Sequence, residues 1–162
     1  FVCENNFYSV YTPLKERQST KINIANRISG LGIKTIRVDT SNWQKVLKTL
    51  KYSRDYVIKN KKPIFLEFLT YRKYEHVGPL NDDHLKYRSK NEISYWKKRD
   101  PLKKIYDYLI KNKVSKLKLE KITTEINKKI KNAFLFAEKS KFPKSEDFKL
   151  HVFKKNLWPK EK

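Results

Sequence analysis

Residues 34–70 read KTIRVDTSNWQKVLKTLKYSRDYVIKNKKPIFLEFLT, and the fold turns on how this stretch divides. Lys34-Thr35-Ile36-Arg37-Val38 is a short β-rich run with alternating character. Asn42 supplies a side-chain oxygen of the kind that caps a helix start. The periodicity after it predicts a helix to about Asn60, with Val46, Leu47, Leu50, Val57 and Ile58 approximating one apolar face. Pro63 then opens Ile64-Phe65-Leu66-Glu67-Phe68-Leu69, a compact apolar run of strand length. Upstream, Asn23 to Leu31 predicts a short helix carrying Ile24, Ala25 and Ile28, ended by Gly30 and Gly32. Phe1-Val2-Cys3 reads as the end of a buried strand, with turn-prone Glu4-Asn5-Asn6 behind it. Strand, helix, strand, helix, strand is the order of an α/β unit with a parallel sheet and flanking helices.

The pattern changes after Thr70. Tyr71 to Arg88 is irregular, with Gly78, Pro79 and Asn81-Asp82-Asp83, and a connection of that length is usually functional or disordered. Ser89 and Glu92 have capping-box spacing and predict a helix to about Arg99. Asp100-Pro101 reads as an N-cap followed by Pro at the first helical position, opening a helix to about Asn112 with Leu102, Ile105, Leu109 and Ile110 on its apolar face. Ser115 can cap a long last helix whose stripe is Leu119, Ile122, Ile126, Ile130, Ala133 and Ala137, stopped by Phe142-Pro143. Phe148, Val152, Phe153 and Trp158 in the tail are expected to dock. Two regions are thus expected: an α/β part over 1–88, and a helical part over 89–162.

The chain has 162 residues and a net charge of +22, built from 32 Lys but only 7 Arg. The charge is spread, with +7 over residues 1–60, +4 over 61–100 and +11 over 101–162. A lysine-rich nucleic-acid-binding module is the natural rival reading of such a charge, testable by its salt dependence. The scarcity of Arg, which grips phosphate and reads guanine, and the even spread argue instead for A/T-biased codon usage, as in a low-GC bacterial cytoplasmic protein. One Cys excludes a disulfide scaffold and a multi-cysteine zinc site. No apolar run approaches the roughly 20 residues of a membrane span. A hydrophobic content of 38% is too high for a disordered tail. No Met is present and the chain starts Phe1-Val2-Cys3-Glu4, so the expectation is an internal start in the C-terminal part of a longer protein.

Two constellations can carry chemistry. Asn5-Asn6 lies beside a predicted strand end, where open parallel sheets bind ligands. An Asn amide oxygen is a hard ligand suited to Mg²⁺, which combines few protein oxygens with substrate phosphate; the same pair also reads as a plain turn. Thr70-Tyr71-Arg72-Lys73-Tyr74-Glu75-His76 leaves another strand end. Arg72 can meet phosphate or a carboxylate, and His76 can transfer protons near neutral pH or simply sit in solvent. Asp82, Asp83, Tyr87 and Arg88 either pair and order the loop or are solvated. Cys3 reads as a small hydrophobe rather than a nucleophile. His84 and His151 have no partners at ligand spacing, so zinc is not expected.

Together these residues resemble a family. F-V-C-E-N-N-x-Y-x-x-x-T-P at Phe1 to Pro13 resembles the Mg²⁺-binding segment of the alpha subunit of thiamine diphosphate-dependent 2-oxo acid dehydrogenases. I-A-N-R-I-S-G-L-G-I at 24–33, R-V-D at 37–39, P-I-F-L-E-F-L-T-Y-R at 63–72, E-H at 75–76, D-D at 82–83, Y-R-S-K-N-E-I at 87–93, W at 96 and D-P at 100–101 follow in the family's order, covering about residues 1–140. The resemblance implies a thiamine diphosphate-binding fold, of which this chain is the C-terminal part, followed by a helical region. It implies thiamine diphosphate and Mg²⁺ as cofactors, with Asn6 ligating the metal through its side chain and Tyr8 through its backbone carbonyl. It makes Arg72 and His76 cofactor-binding and His76 catalytic. It implies decarboxylation of a 2-oxo acid such as pyruvate, or cleavage of acetoin, with the acyl group passed to lipoyl. The expected partners are a beta subunit in an alpha2beta2 assembly, which brings the glutamate that activates the cofactor, and a lipoyl-bearing acyltransferase. Neither a membrane nor nucleic acid is expected. The Gly-Asp-Gly that begins the family's cofactor signature is expected upstream of this chain. The family's D-G-N-D is Asp39-Thr40-Ser41-Asn42 here, and its G-x-G-P is Asn60-Lys61-Lys62-Pro63. Val77 stands where regulated members carry serine, so control by phosphorylation there is not expected. Glu75-His76-Val77-Gly78-Pro79 is more similar to acetoin-type relatives than to pyruvate enzymes.

Overall fold

The computed structural model describes residues 1–149. Expectations resting on Phe148, His151, Val152, Phe153 and Trp158 concern side chains outside the described part. The chain divides into two units, Phe1–Asn112 and a second that begins at Lys113.

The first unit is built on three parallel strands, β1 (Val2–Asn5), β4 (Lys34–Asp39) and β5 (Ile64–Leu69), in the spatial order β1-β5-β4. The register sets Cys3 and Arg37 on either side of Glu67, and Asn5 and Asp39 on either side of Leu69. The compact apolar run is therefore the central strand, covered on both faces as parallel sheets require. Ile64, Leu66 and Phe68 form the core with Val38, and Ile36, Val46 and Tyr56 pack against it. A short hairpin of β2 (Tyr8–Ser9) and β3 (Thr12–Pro13) follows β1, and a single turn, α1 (Leu14–Arg17), follows the hairpin. Phe1 and Val2 are exposed, so β1 is an edge strand of this sheet rather than a buried one. Glu4 and Asn5 belong to that strand, and the turn begins at Asn6.

Helix α2 (Ile24–Ser29) is capped by Asn23, whose side chain accepts the Asn26 N–H, and Gly32 makes the left-handed exit at φ 77°. Helix α3 (Trp43–Asn60) is capped by Asn42 through the Lys45 N–H. Its inward face differs from the expected one. Val46, Thr49, Ser53 and Tyr56 face the sheet, with Thr49 and Ser53 buried, while Leu47, Leu50, Val57 and Ile58 are exposed. Small side chains let the helix lie close on the sheet, and this displaces the larger aliphatic positions outward. None of the three positions where the family pattern has glycine, Thr40, Asn60 and Lys62, takes a positive φ, and the chain leaves α3 through the intervening Lys61 at φ 52°.

Residues 70–88 hold one 3-10 turn at Asp83–Leu85. Helix α4 (Lys90–Lys98) forms half of the expected capping box: Ser89 Oγ accepts the Glu92 N–H at 3.1 Å, but the Glu92 carboxylate turns to another partner. Helix α5 (Pro101–Lys111) is capped by Asp100 through the Leu102 N–H.

In the second unit, α6 (Lys116–Lys139) starts at Ser115, whose side chain makes no capping bond. Its stripe of Ile122, Ile126 and Ile130 is exposed. No helix among the described residues is long and apolar enough to cross a membrane.

Candidate functional site

The carboxyl edge of the sheet gathers the segments singled out by sequence. β1 and β5 end side by side, with the Thr70 N–H bonded to the Asn5 carbonyl at 3.0 Å. Beyond Asn5 the chain turns through Phe7 in the left-handed region at φ 68°. Asn5 Oδ1 accepts the Phe7 N–H and Asn6 Oδ1 accepts the Tyr8 N–H, each at 3.0 Å. These are successive Asx turns, the local bonding that makes Asn a turn residue. The Asn6 amide oxygen keeps its second lone pair. Tyr8 pairs in register with Pro13, and the Leu14 N–H donates to the Phe7 carbonyl at 2.7 Å, so Tyr8 and Pro13 are a non-hydrogen-bonded pair and the Tyr8 carbonyl points away from the partner strand.

The Tyr8 phenol donates to the Glu92 carboxylate at 2.8 Å, joining this turn to α4. Burial first, then Glu92, raise the phenol's pKa and keep it a neutral donor. Tyr8 and Tyr11 both pack on the Tyr87 ring, at 5.4 and 5.1 Å between centroids.

The second segment is held from below by a buried ionic network. Arg88 is 2% exposed and Asp82 1%. Arg88 pairs with Asp82 and Asp83 and donates to the Arg72 carbonyl at 2.5 Å. The Tyr87 hydroxyl donates to Asp82 at 2.7 Å. Asp82, Asp83, Tyr87 and Arg88 thus pair and order the loop. Arg72 Nη2 donates to the Val10 carbonyl and the Tyr87 hydroxyl, each at 2.8 Å, and lies 3.7 Å from Asp82. Arg72 therefore ties the loop to the hairpin tip. Tyr71 stacks on Trp96 at 5.3 Å, and Trp96 also meets Phe7 at 5.7 Å. The Tyr71 hydroxyl is buried without a partner among the described residues, and burial pushes its pKa to about 12. It borders a cleft of about 270 Å³ that Thr70 and Trp96 also line.

His76 is exposed at the tip of a small loop closed by the Glu75 N–H on the Leu80 carbonyl at 2.9 Å. Glu75 folds so closely over Gly78 that a Cβ there would collide with its carboxylate. The sheet edge thus brings Asn6, Tyr8 and Arg72 into one neighbourhood, with His76 farther along the same loop. Cys3 is half-buried; burial first, then Glu67 and Glu4, push its thiol up, the reverse of what a nucleophile needs. Among the described residues no group of three or more His, Cys, Asp and Glu could hold a metal, so the donors at this edge are amide and backbone oxygens.

Two features escaped sequence reasoning. Asp39 pairs with Arg99 and its Oδ1 accepts the Ser41 N–H at 2.9 Å. Desolvation works to raise the Asp39 carboxyl, but the Ser41 bonds and Arg99 outweigh it and hold its pKa below the ordinary value. Glu67 is fully buried in the central strand. The available signal for Glu67 was its position as the single charge in an apolar strand run.

Residues 1–146 match the family described as dehydrogenase E1 component. The chain is 29% identical over 154 residues to the pyruvate dehydrogenase E1 component subunit alpha of Rickettsia bellii, covering 94% of this chain and 46% of that protein. It is 35% identical over 145 residues to the mitochondrial 2-oxoisovalerate dehydrogenase subunit alpha of Mus musculus, covering 88% and 32%. The pyruvate dehydrogenase E1 component subunit alpha of Rickettsia felis matches at 30% over 154 residues, again 94% and 46%. The chain spans less than half the length of these curated relatives.

Proposed function

From the premise that this chain belongs to the dehydrogenase E1 component family, we propose that it forms part of an alpha subunit in an enzyme that decarboxylates a 2-oxo acid and passes the acyl group to a lipoyl arm. Thiamine diphosphate is the cofactor and supplies the carbon–carbon bond chemistry when bound. Asn6, through its amide oxygen, and Tyr8, through its carbonyl, hold the Mg²⁺ that accompanies it. The observation carrying this reading is the double Asx turn at the carboxyl edge of a parallel sheet. It leaves one free lone pair on Asn6 and a Tyr8 carbonyl turned away from the partner strand, two hard oxygens for a small hard cation. Two protein oxygens suit an ion that keeps phosphate and water in its remaining positions.

The remaining residues shape the site. Arg72 locks the loop against the hairpin tip, and His76 on that loop acts where cofactor and substrate meet, moving a proton. The Tyr71–Trp96 stack walls the cleft and excludes water. A beta subunit completes the site, two copies of each forming the assembly, and a lipoyl-bearing acyltransferase receives the acyl group. A low-GC bacterial cytoplasm is the setting. Relatives named for pyruvate and 2-oxoisovalerate favour those two substrates over acetoin.

The test is turnover by the full-length alpha subunit assembled with its beta subunit, with thiamine diphosphate and Mg²⁺. CO₂ release and lipoyl reduction are measured with pyruvate, 2-oxoisovalerate and other branched-chain 2-oxo acids, with acetoin cleavage as a separate arm. The expected result is turnover of pyruvate or a branched-chain 2-oxo acid. Turnover of acetoin alone would reject the substrate class, and turnover of none would reject the reading.

A further inference from the structure

Glu67 is the only charged residue of β5 and has no solvent exposure. Its carboxylate meets three donors. Asn5 Nδ2 donates to Oε1 at 2.7 Å, the Ala25 N–H donates to Oε2 at 3.0 Å, and Arg37 Nε lies 3.3 Å from Oε2. Only an ionised carboxylate is acceptor on both oxygens; an amide must place its NH₂ against one donor set or the other.

The Asn5 bond reaches further. With Nδ2 turned to Glu67, the other end of that amide must present its oxygen to the Phe7 N–H. This holds Phe7 at φ 68°, a conformation that side-chain-bearing residues rarely keep. Phe7 is the residue between Asn6 and Tyr8, so its backbone determines where the Asn6 side chain and the Tyr8 carbonyl point. We propose that Glu67 is a positioning residue for the metal-binding turn: it fixes the Asn5 amide, which holds Phe7 left-handed and so aims the Asn6 oxygen and the Tyr8 carbonyl together. The proposal rests on the reading that Asn6 and Tyr8 ligate Mg²⁺.

Outer-shell partners of metal ligands typically change metal affinity 10–100-fold when altered. The test is calorimetric titration of MgCl₂ into the intact alpha–beta assembly at fixed thiamine diphosphate, with turnover at saturating Mg²⁺ measured alongside. Glu67→Gln is expected to weaken Mg²⁺ binding at least tenfold while saturated turnover stays within about threefold. Combining Asn5→Asp with Glu67→Gln restores one donor and one acceptor between the two side chains and leaves an oxygen for Phe7. It is expected to recover the affinity to within about threefold, which loss of general folding integrity would not allow. Where Glu67→Gln does not assemble, Asn5→Ala replaces it, with the same tenfold loss expected. Asn6→Ala is the control on the metal reading. If Asn6→Ala weakens Mg²⁺ binding but the deciding variant loses less than tenfold, or the swapped pair fails to recover a lost affinity, the positioning role is overturned and the metal assignment stands. If Asn6→Ala leaves Mg²⁺ binding unchanged, the metal assignment itself fails and the positioning role falls with it.

Discussion

Arg88→Met removes the cation around which the loop of residues 70–88 is organised. The guanidinium is 2% exposed and joins Asp82, Asp83 and the Arg72 carbonyl, with its charge 4.8 Å from the Tyr87 ring centroid. Deleting one partner of a buried ion pair costs about 3–5 kcal/mol when the other charge is left alone. Asp82 is not left alone here, because Tyr87 still donates at 2.7 Å and Arg72 lies 3.7 Å away. The bonds lost to charged groups are worth about 1.5–3 kcal/mol each, and Asp83 regains solvent, so a loss of about 3 kcal/mol follows. That corresponds to roughly a hundredfold rise in the population of the open loop. Amide hydrogen exchange on the intact protein reads it directly. Peptides covering 70–88 are expected to exchange roughly a hundredfold faster while those covering β5 change little, since the core of Val38, Ile64, Leu66 and Phe68 is untouched. Loop exchange altered by less than threefold would refute the account of how this loop is ordered. Arg88→Lys should recover only part of the protection, because a single ammonium cannot fork across three acceptors.

Other consequences are equally open to measurement. Asp39 has a folded-state pKa below its ordinary 3.8, so its stabilisation is fully present above that value and is lost as pH falls through the folded value; melting temperature should drop below about pH 4, and Asp39→Asn should flatten that limb. An Asp39→Asn variant as acid-sensitive as the parent would contradict this. Lys61 occupies a left-handed position at φ 52°, so Lys61→Gly should raise stability by about 0.5 kcal/mol in urea unfolding, the relief of strain exceeding the added unfolded-state entropy. A lower midpoint would show that the Lys61 side chain contributes more than its backbone costs.

The sheet and helices were legible because β5 is an apolar run broken only by Glu67 between Pro63 and Thr70, and because Asn23, Asn42, Ser89 and Asp100 sit where N-caps belong. The inward face of α3 was not legible. Periodicity finds the largest aliphatic residues, whereas close helix-on-sheet packing here selected Thr49 and Ser53. The residue types of the candidate site, Asn6, Tyr8, Arg72 and the loop carboxylates, stood out through strand ends and a resemblance running in register. Their wiring did not. Glu92 pairs with Tyr8 across 84 positions and Glu67 with Asn5 across 62, and no local pattern encodes such distant partners. The lysine excess, prominent in the composition, contributes nothing to the network that joins the hairpin to the loop.

We infer that the turn from Asn6 to Tyr8 holds the metal that carries thiamine diphosphate. The most direct measurement is calorimetric titration of thiamine diphosphate into the intact alpha–beta assembly, with and without Mg²⁺, for the parent and for Asn6→Ala. Binding in the parent is expected to require Mg²⁺, with a loss of about tenfold or more in the variant. Equal affinity in parent and variant, or binding in the parent that is indifferent to Mg²⁺, would contradict it.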